Sequence, residues 1–153
     1  MRFSFAIPST PLAAAVGSST ASVVSPLRIL VIDDDPLVLR SVQEALEGDG
    51  HAVTIADGGQ AGIDAFRAAR TQGAPFPVVI TDLGMPYVDG RKVSNAIKTA
   101  APETVVLLLT GWGQRLAADG DIPAHVDHVL SKPPRLRELR EALARSLQKK
   151  GPP

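Results

Sequence analysis

Arg28-Ile29-Leu30-Val31-Ile32-Asp33-Asp34-Asp35-Pro36 is an apolar run that ends abruptly on three acids and a proline. An unbroken apolar run, unlike an alternating one, suits a strand covered on both faces, which is the ordinary condition of a strand in a parallel sheet. Pro36 stands where a helix begins, because its missing N–H falls among the donors that a first turn leaves unpaired anyway. Leu37, Val38, Val42, Ala45 and Leu46 then supply one apolar face at helical spacing, and Gly48 and Gly50 stop it. A buried strand followed directly by an amphipathic helix is the first half of a βα repeat.

The same alternation continues along the chain. Ala52 to Ala56 reads as a second strand and Gly59 to Arg70 as a helix with Ala61, Ile63, Ala65 and Phe66 directed inward, closed by Gly73 and Pro75. Pro77 to Asp82 is a third strand, followed by a long loop, Leu83 to Gly90, and a helix from Arg91 to Thr99. Thr104 to Thr110 is a fourth strand and Trp112 to Gly120 a short, poorly patterned helix. Asp127 to Ser131 is a fifth strand, and Pro133 to Gln148 a last helix whose seam is Leu136, Leu139, Ala142, Leu143 and Leu147. Five βα units give an α/β fold around a parallel sheet.

With 153 residues the chain has room for one ordinary domain. Residues 1–27, rich in Ala, Ser and Pro, read as a flexible extension or linker. Their faint likeness to a secretory signal is interrupted by Pro8 and Pro11. The domain proper runs over 28–149, and 150–153 is a tail. Sixteen basic and sixteen acidic side chains leave no net charge, which argues against nucleic-acid binding by this chain. No stretch of about 18 apolar residues occurs, so membrane insertion is not expected. The absence of cysteine excludes disulfides and thiol chemistry and fits a cytoplasmic location.

In an open parallel sheet, ligands bind beyond the carboxyl ends of the strands. Asp33, Asp34 and Asp35 end the first strand, Asp82 the third and Thr110 the fourth, while Lys132 follows the fifth. Carboxylates brought together repel, by about 4 kcal/mol for a pair near 4 Å at an effective dielectric of about 20, so such a cluster calls for a cation. All-oxygen ligands favour a hard ion, and Mg²⁺ in particular, because it binds through few carboxylates and leaves positions for phosphoryl oxygens. Thr110 and Lys132 supply a hydroxyl and an ammonium to hold the remaining oxygens of a phosphoryl group. Asp82, at a strand end and ahead of a long loop, is the best-placed carboxylate nucleophile.

The segments Leu30 to Pro36, Val78 to Asp82, Met85-Pro86, Asp89-Gly90, Leu109-Thr110-Gly111 and Ser131-Lys132-Pro133, in this order and spacing, together resemble the response-regulator receiver domain over about Arg28 to Lys149. The resemblance implies a flavodoxin-like, doubly wound sheet of order 2-1-3-4-5. It also implies phosphotransfer from a partner histidine kinase, separate or fused upstream, to Asp82. By the same resemblance Asp34 is the direct metal ligand, Asp33 acts through water, and Gly84 lends its backbone carbonyl to Mg²⁺. Thr110 becomes the switch hydroxyl, Lys132 the phosphate-binding lysine, and the Lys132–Pro133 bond is cis.

Several features depart from that pattern or compete with it. Val129 stands where receivers commonly carry an aromatic, so an aromatic relay from Thr110 is not expected. Trp112 has the bulk to shield an acyl phosphate from water. Arg2 to Pro8 is similar to the closing strand of a histidine-kinase ATP-binding domain, and Leu109 to Gly113 resembles receivers fused to hybrid kinases, which points to a hybrid-kinase origin. His51, His125 and His128 lack the setting of a phosphotransfer histidine and fit surface or strand-packing roles. Asp33-Asp34-Asp35 is also similar to the start of haloacid-dehalogenase-type phosphatases, but Leu37 departs from that pattern. The leading expectation is a phosphoacceptor that signals through a protein partner and is not a turnover enzyme. The rivals are a phosphorylation-independent interaction module and a Mg²⁺-dependent phosphohydrolase.

Overall fold

The computed structural model describes residues 26–111 and 126–149. The expected extension before residue 26, the helix at Trp112 to Gly120, His125 and the tail lie outside the described residues. Five strands, β1 (Arg28–Ile32), β2 (Ala52–Ala56), β3 (Val78–Asp82), β4 (Val105–Thr110) and β5 (His128–Ser131), form one parallel sheet of order β2-β1-β3-β4-β5. The described helices are α1 (Pro36–Gly48), α2 (Gly59–Thr71), α3 (Gly90–Ala100) and α4 (Leu136–Lys149).

The unbroken apolar runs have their cause in the two layers of helices. Ile29 and Val31 of β1 pack with Leu39, Val42 and Leu46 of α1 and with Leu139 and Leu143 of α4, whereas Leu30 and Ile32 face Ile63 and Phe66 of α2 and Val93 and Ile97 of α3. Alternate residues of one strand thus serve opposite cores, and a polar residue on either face would be buried.

Two helix faces differ from the expected ones. Leu37 is 76% exposed, and the inward face of α1 is Leu39, Val42 and Leu46, with Val38 and Ala45 half-buried. Three apolar residues stand in a row at 37–39, and at about 100° per residue Leu37 falls opposite the 39/42/46 stripe. In α2 Ala61 is exposed; the buried set is Gly59, Gly62, Ile63, Phe66 and Ala69. The close approach of α2 to β1 explains this, since a Cβ at Gly62 would strike the Ile32 side chain. The last helix begins at Leu136, not Pro133, because Pro134 disfavours helical backbone at the residue before it. Glu138 reaches back to accept from the Arg135 N–H at 3.3 Å, half of a capping box.

Opposite the carboxyl edge, Arg140 of α4 forms a two-pronged pair with Asp49 at the end of α1, at 2.8 and 2.7 Å. Next to it His51 is buried, and its Nδ1 accepts from the Leu27 N–H at 3.0 Å. This is the packing role expected of it. Burial holds the imidazole below its ordinary 6.5, against the attraction of Asp49. Arg140 in turn holds the Asp49 carboxyl below its ordinary value. Both folded pKa values lie under their unfolded ones, so the stability they lend is complete above the unfolded values and is lost as pH falls. For His51 the loss starts near 6.5 and has a limiting slope of about 1.4 kcal/mol per pH unit. Urea titrations below neutral pH are expected to show stability falling more steeply with falling pH in the parent chain than in His51→Gln; equal slopes would assign the proton to another group.

Candidate functional site

The site is built at the carboxyl edge of β1, β3 and β4 and just beyond β5. Asp33 follows β1 and is fully buried, its N–H still bonded to the Ala56 carbonyl at 3.1 Å. Its Oδ1 accepts from the Asp35 N–H at 2.9 Å. Asp35, also on the cleft wall, caps α1 by accepting from the Leu37 N–H at 2.9 Å. Asp34 is exposed on the cleft wall. Asp82 closes β3 and is 5% exposed, as is Thr110 at the end of β4. Gly84 is exposed and lines the same cleft of about 740 Å³.

Lys132 ties the strands together. Its backbone N–H bonds to the Thr110 carbonyl at 3.0 Å, and its ammonium lies 2.8 Å from Asp33 Oδ2 and 3.0 Å from Asp82 Oδ1. The Lys132–Pro133 bond that follows is cis. Burial pushes the Asp33 carboxyl above its ordinary value, as does Asp82, against Lys132 and the Asp35 N–H, which favour its charged form. Burial also opposes the charge on Lys132, but Asp33 and Asp82 outweigh it and raise its pKa. The contact with Asp33 is ionic and poorly directed; Asp33 Oδ2 remains buried without a hydrogen-bond partner of good geometry.

One ammonium does not balance three carboxylates. Asp33, Asp34 and Asp82 each offer an oxygen, all within 4.8 Å of one another. Opposite ligands of a Mg²⁺ octahedron lie roughly 4 Å apart, so oxygens this close would complete a shell with at most small side-chain movements or a bridging water. The surplus of negative charge over the one ammonium and the all-oxygen donor set fit such an ion.

The loop after Asp82 is held by close packing. Gly90 donates to the Leu83 carbonyl at 2.9 Å and presses on the Asp82 carbonyl, while Asp89 caps α3 by accepting from the Lys92 N–H at 3.0 Å. A Cβ at Gly90 would meet the Asp82 carbonyl and come within 2.8 Å of Leu83 Cα, backbone atoms with no room to move. Gly90→Ala is therefore expected to cost about 1–3 kcal/mol and to displace Asp82. At Gly84 an added Cβ meets nothing within 4 Å, so Gly84→Ala is the control that melts like the parent. Equal melting of the two variants would disprove the packing argument.

Every residue expected at the site lies at this edge, with Asp33, Asp34 and Asp82 in mutual reach, Lys132 paired with Asp33 and Asp82, and Thr110 and Gly84 on the cleft wall. The direct pairing of Lys132 with Asp33 was not anticipated, because 99 residues separate them in sequence and only burial makes Asp33 need a cation.

The receiver family model, described as a response regulator receiver domain, matches residues 29–144. The transcriptional regulatory protein TcrA of Mycobacterium tuberculosis is 34% identical over 130 residues, covering 84% of this chain and 49% of that protein. The response regulator receiver protein CpdR of Brucella abortus is 33% identical over 121 residues, covering 78% of this chain and 96% of CpdR. A response regulator receiver domain protein from Clostridium thermocellum superposes with a TM-score of 0.69 at 31% identity, over 81% of this chain and 96% of that one. The chain thus spans about half the length of TcrA and nearly all of CpdR.

Proposed function

Because the chain belongs to the response regulator receiver family, we propose that it accepts a phosphoryl group from a histidine kinase onto Asp82 and passes the signal on through a protein contact. The observation that carries this reading is the buried pair Asp33 and Asp82 bridged by Lys132, with Asp34 at hand to offer a third carboxylate oxygen. Such a cluster costs the fold stability, and the chemistry of phosphoryl transfer gives it a use. An oxygen of Asp82 attacks phosphorus in line as the phosphorus–nitrogen bond of the donor breaks, its electron pair returning to the imidazole nitrogen, which takes a proton from solvent. Lys132 and Thr110 hold phosphoryl oxygens as negative charge shifts onto them. Asp33, Asp34, Asp82 and the Gly84 carbonyl would hold Mg²⁺, which supplies further neutralisation of that charge. An ATP-charged kinase as donor implies a cytoplasmic setting. Val129 leaves the outward signal without an aromatic relay three residues before Lys132.

Incubation with phosphoramidate tests the reading against its rivals. One phosphoryl group per chain, gained with Mg²⁺ and absent with EDTA, is expected. Steady turnover of a general phosphate ester without a labelled chain would identify a phosphohydrolase. No label under any metal condition would leave an interaction module.

A further inference from the structure

The loop that follows Asp82 carries a feature that the transfer chemistry does not use. Its ends are fixed: Met85 is buried and donates to the Leu83 carbonyl at 3.2 Å, Gly90 donates to the same carbonyl, and Val88 rests against Gly59 of α2. Between these anchors the Val88 N–H closes on the Pro86 carbonyl at 2.7 Å, and Lys92 Nζ donates to the Tyr87 carbonyl at 3.2 Å. This turn holds Tyr87 at φ 65°, and among the described residues it is the one non-glycine residue with a positive φ. Glycine or asparagine would adopt that conformation with less strain. The ring gains nothing from the fold in return, because Tyr87 is 95% exposed.

A strained backbone presenting a bare aromatic ring points to a use outside the chain. Tyrosine suits such a use, since it offers a large contact area with only two side-chain torsions to immobilise. Its position narrows the partner. The loops after β1 and β3 leave neighbouring strands on the edge that carries Asp82, and Leu37, next to the cleft-lining Pro36, is a second strongly exposed apolar side chain there among the described residues. An imidazole is short, so a protein that delivers a phosphohistidine to a buried Asp82 must bring its own surface down onto this rim.

We propose that Tyr87 is a specificity-determining contact for the protein phosphodonor, its ring covered by the donor surface while the phosphohistidine enters the cleft. The proposal rests on the phosphoacceptor reading above and names the partner face of that site.

Radiolabelled, autophosphorylated histidine-kinase cores are screened as donors, and the one that labels the parent chain fastest is the protein probe; phosphoramidate is the small probe. Tyr87→Ala is expected to slow transfer from the kinase core at least about tenfold while phosphoramidate labelling stays within about twofold. Tyr87→Phe keeps most of the transfer, because the ring makes the contact. Tyr87→Gly relieves the backbone, folds at least as stably, and loses transfer as Tyr87→Ala does. Kinase transfer that survives loss of the ring overturns the proposal, and so does an equal fall with both donors. Failure of phosphoramidate to label the parent chain would instead remove the phosphoacceptor reading, and the proposal with it.

Discussion

Asp82→Asn is expected to leave the chain unlabelled by phosphoramidate at any Mg²⁺ concentration, a loss on the order of a thousandfold or more. An amide oxygen is a poor nucleophile and carries no charge to attack with, whereas the buried carboxylate of Asp82 is held 3.0 Å from the Lys132 ammonium. The same substitution replaces one of the three carboxylates offered to a cation by a neutral amide, so a second readout accompanies the first. Metal binding to the native state raises the unfolding free energy by RT ln(1 + [L]/Kd), about 2.7 kcal/mol at a hundred times Kd. Mg²⁺ is expected to stabilise the parent in this way and to stabilise Asp82→Asn distinctly less. Peptide mapping of the labelled parent should find a hydroxylamine-labile phosphoryl group on the peptide that holds Asp82. Label that persists in Asp82→Asn, or that maps to Asp34, would refute the assignment.

What the sequence revealed and what it hid follow from the range of the interactions. The strands were readable because two helical layers force every residue from Ile29 to Ile32 to be apolar, and that demand shows in a single run. The acids and Lys132 were readable because parallel topology sends all strand ends to one edge. The face of α1 was not: three consecutive apolar residues at 37–39 satisfy several helical phases, and only the packing angle selects Leu39 over Leu37. The Asp49–Arg140 pair joins residues 91 apart, and no local pattern announces it. The Tyr87 conformation is equally silent, since it belongs to a turn closed by the Val88 N–H on the Pro86 carbonyl and by Lys92 on the Tyr87 carbonyl.

Lys132→Met separates the structural from the chemical duty of that lysine. The Asp33 side chain is fully buried and the Lys132 side chain 23% exposed, so removing the ammonium leaves two close carboxylates with little solvent between them. Breaking a fully buried pair costs about 3–5 kcal/mol; the partial exposure of Lys132 reduces the expected loss to about 2 kcal/mol at neutral pH without metal. The pH dependence has a definite sign. Burial and Asp82 already raise the Asp33 pKa in the parent, and without Lys132 it rises further above its unfolded value. A raised carboxyl pKa penalises the fold at high pH, and the penalty is lifted as pH falls through the folded value, so the deficit of Lys132→Met relative to the parent should shrink on mild acidification. Mg²⁺ should shrink it too, by supplying the missing positive charge, and Lys132→Met with Asp33→Asn should need neither. Urea midpoints for the four combinations of metal and pH measure all of this, and a deficit indifferent to both would mean that Lys132 stabilises the fold by packing alone. Phosphoramidate labelling should remain slow in the variant even where Mg²⁺ has restored its stability, because the metal cannot replace the ammonium against the phosphoryl oxygen.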